Sequence, residues 1–431
     1  MISTLVGFGA LFVLLLFGVP VAFSMLIAGS LGIWLTVGPD ALGGFLRFGP
    51  YETVASYTLS SVPLFILMAE YLTAGRFTAD LFGLAYRFLG HRRGGVAYAT
   101  VGGGALLAAI SGSSTAAAST LSSVAFSEMR RLGYDAKFAS ALLAVVGTLA
   151  IMIPPSLGLI LYGVFTETSV GRLLLAGFVP GALTTLGYVV TIYMMVRVSP
   201  ELTPQRVAPF PWRERWLSIC QAWPILILLL AMVSALYTGA VTPTEVAAIG
   251  ALLALTIGVF LKRIGWEDFW RSSVKAVGAS AMVLTIVGFS SAVGVFMALN
   301  GTTRQILEAI TEAQLSPGLV VACVLLILLV LGFFLDQLAI LILTLPMVFP
   351  LLTGLGYDPV WLGIVFVKTA EIGLITPPMG MNAFVVAGTT RTPITQVFRG
   401  IWPFVVTEFI ILCLLVTLPE LSLWLPQAVY G

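Results

Sequence analysis

The chain has 431 residues, of which 59% are hydrophobic and 9% charged, with a net charge of +2. Soluble domains carry roughly 25% charged residues, so this chain has too little polar surface to face water and must be dissolved in a lipid bilayer. One histidine, His91, leaves little room for histidine-based catalysis. The cysteines Cys220, Cys323 and Cys413 lack paired spacing and read as buried free thiols, with no disulfide or zinc site implied. The reading is of neither an enzyme nor a nucleic-acid binder.

A bilayer-crossing helix needs about 20 apolar residues, and the runs of that kind follow in order. Residues 1–37 lack the basic start and small-residue cleavage site of a signal peptide, so they read as two retained spans near 4–19 and 21–37. A span follows at 53–74, then a mixed-charge segment at 76–91 that reads as a helix lying along the membrane surface. The run 94–128 reads as a re-entrant hairpin with a polar tip at Ser111-Gly112-Ser113-Ser114-Thr115. The run 138–168 is broken at Ile153-Pro154-Pro155-Ser156, and 173–196 crosses again. A polar linker at 197–216 holds Pro200, Pro204, Pro209 and Pro211.

Spans then fall at 217–238, 243–261 and 275–299. Thr242-Pro243-Thr244-Glu245 has the spacing of a capping box, which makes Glu245 a helix-start carboxylate. A second surface arm at 302–313 precedes a second hairpin at 317–351, with Asp336-Gln337 at its tip. The run 359–390 is broken at Thr376-Pro377-Pro378-Met379-Gly380-Met381-Asn382, and 396–425 closes the series.

The two halves repeat at a fixed offset of 223 residues. Leu132-Gly133-Tyr134-Asp135 recurs as Leu355-Gly356-Tyr357-Asp358, Pro154-Pro155 as Pro377-Pro378, and Pro20 as Pro243. Ser113-Ser114 aligns with Asp336-Gln337. Basic residues cluster at Arg92-Arg93, Arg130-Arg131 with Lys137, Arg197, Arg206, Arg213 and Arg215, Lys262-Arg263, and Arg391 with Arg399. Short basic loops mark the cytoplasmic side, and the clusters share one side only if both hairpins return to the face they enter. The expected fold is therefore an all-α polytopic membrane protein of two inverted-topology repeats, 1–196 and 217–431, each with a re-entrant hairpin and a broken helix. The linker 197–216 is cytoplasmic in this layout, and both termini lie outside.

Unpaired backbone costs several kcal/mol in hydrocarbon, so it survives only where protein or a cavity surrounds it. Pro154 and Pro155 remove helical donors and free the carbonyls of Ala150 and Ile151. A Gly-Ser-Ser-Thr tip alone reads as close helix packing, and a Pro-Pro pair alone as a kink. Their recurrence at matching places favours function, with freed carbonyls for a cation and half-helix N-termini for an anion. Lys368 and Glu371 are three apart on one helix: either they form an internal ion pair, or Lys368 draws in a carboxylate substrate. Glu408 and Glu70 have no local partner.

Four stretches resemble the large membrane subunit of the tripartite ATP-independent periplasmic (TRAP) transporters. These are Ser60-Ser61-Val62-Pro63-Leu64-Phe65, Ser111-Gly112-Ser113-Ser114, Val241-Thr242-Pro243-Thr244-Glu245, and Gly373 through Asn382. Met379 and Met381 stand where that family often carries smaller or branched residues. The resemblance implies an elevator-type, sodium-driven importer of an organic acid anion in the bacterial inner membrane. It also implies two partners, a small four-helix membrane subunit and a periplasmic substrate-binding protein. It implies one Na+ at Ser111, Gly112, Ser113 and Ser114 with Gly147, Ala150 and Pro154, and a second at Gly332 and Asp336 with Gly373, Thr376 and Met379. Substrate would lie among Ser114, Thr115, Ser156 and Asn382. The rival readings are a single-component sodium-coupled dicarboxylate symporter of elevator type, a membrane-embedded enzyme and a channel.

Overall fold

The computed structural model describes residues 2–203, 208–238 and 241–430, so the expected linker residues Pro204 and Arg206 lie outside the described residues. Among the described residues all regular structure is helical, in twenty α-helices and two short 3-10 turns. Seven helices among the described residues are long and apolar enough to cross a bilayer, or eight if one bent pair counts as a span. Large apolar side chains stand on the outer surface, among them Leu16, Val198 and Phe260, each more than four-fifths exposed. In water such rows would be a liability, whereas against lipid they are at home.

The helices pack in two groups. The first is α1 (Ile2–Leu16), α2 (Val21–Val37), α3 (Pro39–Val54), α4 (Ser61–Ala74), α11 (Trp212–Tyr237), α12 (Pro243–Phe260) and α13 (Trp266–Asn300), with α13 lying against α2, α3 and α4. Close approach comes from small residues: a Cβ on Gly29 would fall 2.6 Å from Cβ of Ala292. The capping box expected at Thr242 is present, with Glu245 Oε2 accepting from Thr242 N at 2.7 Å.

The second group is α6 (Gly95–Ser111), α7 (Ser114–Arg131), α8 (Ala136–Met152), α9 (Leu157–Phe165), α10 (Val170–Val198), α15 (Pro317–Gly332), α16 (Gln337–Gly354), α17 (Pro359–Gly373), α18 (Met381–Thr390), α19 (Ile394–Thr417) and α20 (Glu420–Tyr430). Every residue of α8 from Phe138 on is buried, and so is every residue of α17 from Val360 on. Two arms stand between the groups: α5 (Phe77–Leu89) touches α4, α6 and α11, and α14 (Thr302–Glu312) touches α13 and α16. On α14, Ile306, Leu307 and Ile310 pack inward while Arg304 and Glu308 pair on the exposed side at 2.8 Å.

Helices α6 and α7 run side by side in opposite directions. Thr100 Oγ1 lies 4.0 Å from Met129 Sδ, and Val96 N donates to Tyr134 Oη at 3.1 Å. The reversal sits at Gly112 (φ +57), where a Cβ would fall 3.1 Å from Leu157 Cγ. Helices α15 and α16, separated by residues 333–336, both pack on α17. The piece after each break crosses to the other half: α9 packs on α16 and α17, and α18 packs on α7 and α8.

Several boundaries differ from expectation. Helix α3 covers residues 39–52, outside every expected span, and takes the first two residues of the expected span 53–74; it has no buried residue and meets the following helix at 52°. Its Asp40, Arg47 and Glu52 hide it from a hydropathy reading. The expected linker 197–216 is shorter, because α10 runs to Val198 and α11 starts at Trp212. The run 396–425 divides at Pro419, which pushes Leu418 out of helical geometry (φ −124, ψ 76). The three cysteines are free but exposed rather than buried, since an apolar run does not reveal which side faces lipid.

Candidate functional site

The tips of the two hairpins meet at one small cavity. Its lining includes Ser113, Ser114 and Thr115 from the first tip and Asp336, Gln337 and Leu338 from the second. Leu157 follows the first break and Leu374 precedes the second, and both close its walls. The cavity measures about 50 Å³, and a water needs roughly 10–15 Å³ of such space. It therefore holds one small polar group or a few waters.

Each tip ends on a capped helix start. Ser113 caps α7, with Ala116 N donating to its Oγ at 3.5 Å. Asp336 caps α16, with Ala339 N donating to its Oδ1 at 2.9 Å. Ser113 and Asp336 are 223 residues apart, the offset at which the sequence motifs recur. Both helices turn the first-turn N–H groups and the positive dipole end toward the cavity, which favours an anion. Asp336, half-buried, is the one charged residue of the lining.

The segments after the breaks hold these starts in place. Asn382 Nδ2 donates to Ser114 Oγ and, at 3.3 Å, to the carbonyl of Ala144 in α8. On the other side Gly158 of α9 lies against Gln337, where a Cβ would fall 2.9 Å from Gln337 Cδ. Gly332 and Gly373 touch backbone to backbone, joining α15 to α17 beside the second break. Gly147 lies close to Ala118 of α7, where a Cβ would fall 2.6 Å from the Ala118 methyl. Both proline pairs, Pro154-Pro155 and Pro377-Pro378, have cis peptide bonds.

The structure places the expected site residues unevenly. Ser113, Ser114, Thr115 and Asp336 line the cavity together with Gly112. Ser111 stands next to the tip, its hydroxyl 3.5 Å from the Ser113 carbonyl. Ser156 is off the cavity wall and donates to the Ile151 carbonyl, so one of the two carbonyls freed by the prolines is already engaged. Thr376 likewise donates to the Ile372 carbonyl at 2.6 Å. Met379 is half-exposed and Pro154 is buried, neither of them on the cavity wall.

Lys368 is not on this cavity wall either. Its ammonium is fully buried, 3.3 Å from Glu371 Oε2 and against Glu408 of α19, and it donates to Thr184 Oγ1 at 3.0 Å. Tyr188 of α10 donates to Glu408 Oε1 and lies 3.0 Å from Thr148 Oγ1 of α8. Glu408 therefore has partners, but on helices that no local spacing connects to it. Of the two roles left open for Lys368, this geometry is that of the internal ion pair.

A larger cleft, of about 1040 Å³, opens where α3 and α13 face the loop after α9 and the start of α12. Glu52, Thr58, Glu167, Ser169, Thr242 and Ser291 are among its lining residues.

Residues 8–421 match the family model described as tripartite ATP-independent periplasmic transporter, DctM component. The chain belongs to this family. It is 37% identical over 409 residues to the C4-dicarboxylate TRAP transporter large permease protein DctM of Pseudomonas aeruginosa, covering 94% of each chain. It is 29% identical to the isethionate TRAP transporter permease protein DctMQ of Oleidesulfovibrio alaskensis, across 98% of this chain and 66% of that longer one. The Alcanivorax borkumensis YdaH transporter, seen in a crystal structure, shares the fold, with a TM-score of 0.64 at 14% identity over 91% of this chain and 90% of that one. This DctM-family chain is thus the large permease component of a TRAP transporter and not an enzyme.

Proposed function

We propose that this DctM-family permease imports an organic acid anion together with sodium. The observation that carries the reading is the meeting of two capped helix starts, one from each half, at a cavity holding a single carboxylate. Hydroxyl, carbonyl and carboxylate oxygens are the hard donors that suit an alkali cation. One Na+ would be held by the Ser111–Ser114 tip with Gly147, Ala150 and Pro154. The other would be held by Asp336 and the backbone at Gly332 and Gly373, with Thr376 and Met379 as the outer members of that set.

Electrostatics then orders the events. Two like charges 4 Å apart repel by about 4 kcal/mol at an effective dielectric near 20. An anion beside an ionised Asp336 meets that repulsion until a cation neutralises it. Cation binding first, anion second, is the coupling this site can provide.

The two helix groups with arms between them suit an elevator, in which the hairpin-bearing group slides along the other. Under this reading 1–196 and 217–431 are inverted repeats, the chain sits in the inner membrane, and both termini face the periplasm. Its partners would be a small membrane subunit and a periplasmic binding protein. About a third of the DctMQ relative lies outside the match, which fits a fused second membrane component. The substrate class comes from relatives named for C4-dicarboxylate and isethionate, both acid anions.

The test is uptake of succinate or isethionate into liposomes carrying all three components, with and without an inward sodium gradient. Accumulation that collapses with the gradient is expected. Equal uptake without sodium would refute the coupling, and full uptake by this chain alone would favour a single-component symporter.

A further inference from the structure

Two basic segments meet at one end of the hairpin-bearing group. Arg92 and Arg93 lie in the turn between α5 and α6, and Arg197 stands in the last turn of α10. The turn and the helix end are in contact: a Cβ on Gly94 (φ +73) would fall 3.3 Å from Val196 Cγ2 and 3.9 Å from Thr203 Cγ2. Arg93 Nη2 donates to the Pro200 carbonyl at 3.3 Å, and Arg197 Nη1 donates to Tyr193 Oη at 3.0 Å. Tyr98 of α6 is within electrostatic reach of both Arg92 and Tyr193. All three arginines are exposed.

No carboxylate neutralises them. Arg131, Arg263 and Arg271 are paired with Glu128, Asp80 and Asp268, whereas Arg92, Arg93 and Arg197 enter no ion pair among the described residues. Glu201, the one acid of the adjoining turn, is exposed and joins none of them. Asp135 is occupied as the cap of α8, accepting from Phe138 N at 2.9 Å. Alongside Arg197 the outer face of α10 carries Leu186, Val190, Met194 and Val198, each more than half exposed and spaced four apart, on one face of the helix. Tyr193, also half-exposed, stands where this apolar row meets the charges, the place interfacial aromatics favour. An apolar row ending in unpaired cations matches a molecule with long apolar chains and an anionic head. An acidic polypeptide would use the charges and leave the row bare.

We propose that Arg92, Arg93 and Arg197 form a headgroup site for an anionic phospholipid whose acyl chains lie along the exposed row of α10. Guanidinium groups present paired donors that suit a phosphate ester. In the layout read from the sequence these arginines lie on the cytoplasmic side, where the membrane surface is negative. Because α6 and α10 both belong to the hairpin-bearing group, the lipid anchors that group at the level of the headgroups. The site uses neither sodium nor the transported anion, so it stands apart from the transport reading.

The test uses the purified full chain in a neutral detergent, its thermal midpoint followed as phosphatidylglycerol is added, with phosphatidylcholine of the same acyl chains and inorganic phosphate as parallel arms. A bound ligand raises the midpoint by mass action. Phosphatidylglycerol raises it in the wild type, and the other two arms leave it near its starting value. Arg197→Gln weakens the half-effect concentration of phosphatidylglycerol roughly fivefold, which corresponds to about 1 kcal/mol for one basic residue at an anionic surface. Arg92→Gln, Arg93→Gln and Arg197→Gln together weaken it by about a hundredfold. If the triple variant does not fold, Arg93→Gln and Arg197→Gln taken singly decide the matter. Arg213→Gln, an exposed cation at the start of α11, responds as the wild type does.

An equal rise with phosphatidylcholine overturns the proposal, since the acyl chains alone would then account for it. An equal rise with inorganic phosphate makes the patch a site for a free anion and overturns it too. So does a wild-type response in the arginine variants, or a loss in Arg213→Gln as large as theirs.

Discussion

The Lys368 ammonium lies against the Glu408 carboxylate, forty positions further on and in another helix, with neither side chain exposed. With Glu371, Tyr188, Thr184 and Thr148 it ties α17 to α19, α10 and α8, the helices that surround both breaks. Removing one partner of a buried pair leaves an uncompensated charge and costs about 3–5 kcal/mol. Lys368→Met strands two carboxylates at once, so it should fold poorly and lose most of its thermal stability. Lys368→Met with Glu408→Met should recover part of that loss. A Lys368→Met protein that melts like the wild type would show that the pair does not hold these helices together.

Asp336 has two separable roles. As the cap of α16 it can be replaced by asparagine at little cost, whereas alanine costs roughly 1 kcal/mol. As the charge on the cavity it can be replaced by neither. Asp336→Asn should melt near wild type and still lose sodium-dependent stabilisation, and Asp336→Ala should lose both. Retained sodium dependence in Asp336→Asn would take the carboxylate out of the cation site.

Gly332 and Gly373 touch through backbone, so an added methyl has no flexible side chain to displace. A Cβ on Gly332 would fall 2.8 Å from Gly373 Cα. Gly332→Ala should separate α15 from α17 at a cost of about 1–3 kcal/mol, read as a lower melting midpoint together with weakened sodium dependence. By contrast Gly318→Ala, where a Cβ meets nothing within 4 Å, should leave both unchanged.

Asn382 joins Ser114 to the Ala144 carbonyl across 268 positions of sequence. Asn382→Ala removes both contacts and leaves buried groups unpaired, for about 1–3 kcal/mol. Because Asn382 positions Ser114, the variant should raise the KM for the anion more than it lowers the maximal rate. A fall in rate with KM unchanged would argue that Asn382 acts elsewhere.

What could be read from the sequence follows from the bilayer's demand that backbone be paired. Helix starts and stops were legible wherever they leave a local mark: Gly112 and Ser113 at one tip, Asp336 at the other, and the proline pairs at the breaks. The 223-residue offset also set Asp336-Gln337 opposite Ser113-Ser114. Contacts between distant helices left no such mark. Glu408 has no acid-base spacing to Lys368, and nothing near Asn382 points to Ser114. Helix α3 was missed because its charges interrupt the apolar run, and Ser156 because a hydroxyl beside a break can serve its own carbonyl as readily as a ligand. The cysteines were misplaced because hydropathy reports distance from water, and lipid and protein interior are equally dry.

The wide cleft beside α3 is fringed by the carboxylates of Glu52 and Glu167, and no lysine or arginine lines it. Fixed negative charge around a confined volume of water enriches mobile cations there and depletes anions, by the focusing that steers charged ligands generally. On the proposed coupling, such a cleft would stock the ion that binds first at the expense of the one that follows. Its bias fades once added salt shortens the screening length below the width of the opening, to about 3 Å at 1 M.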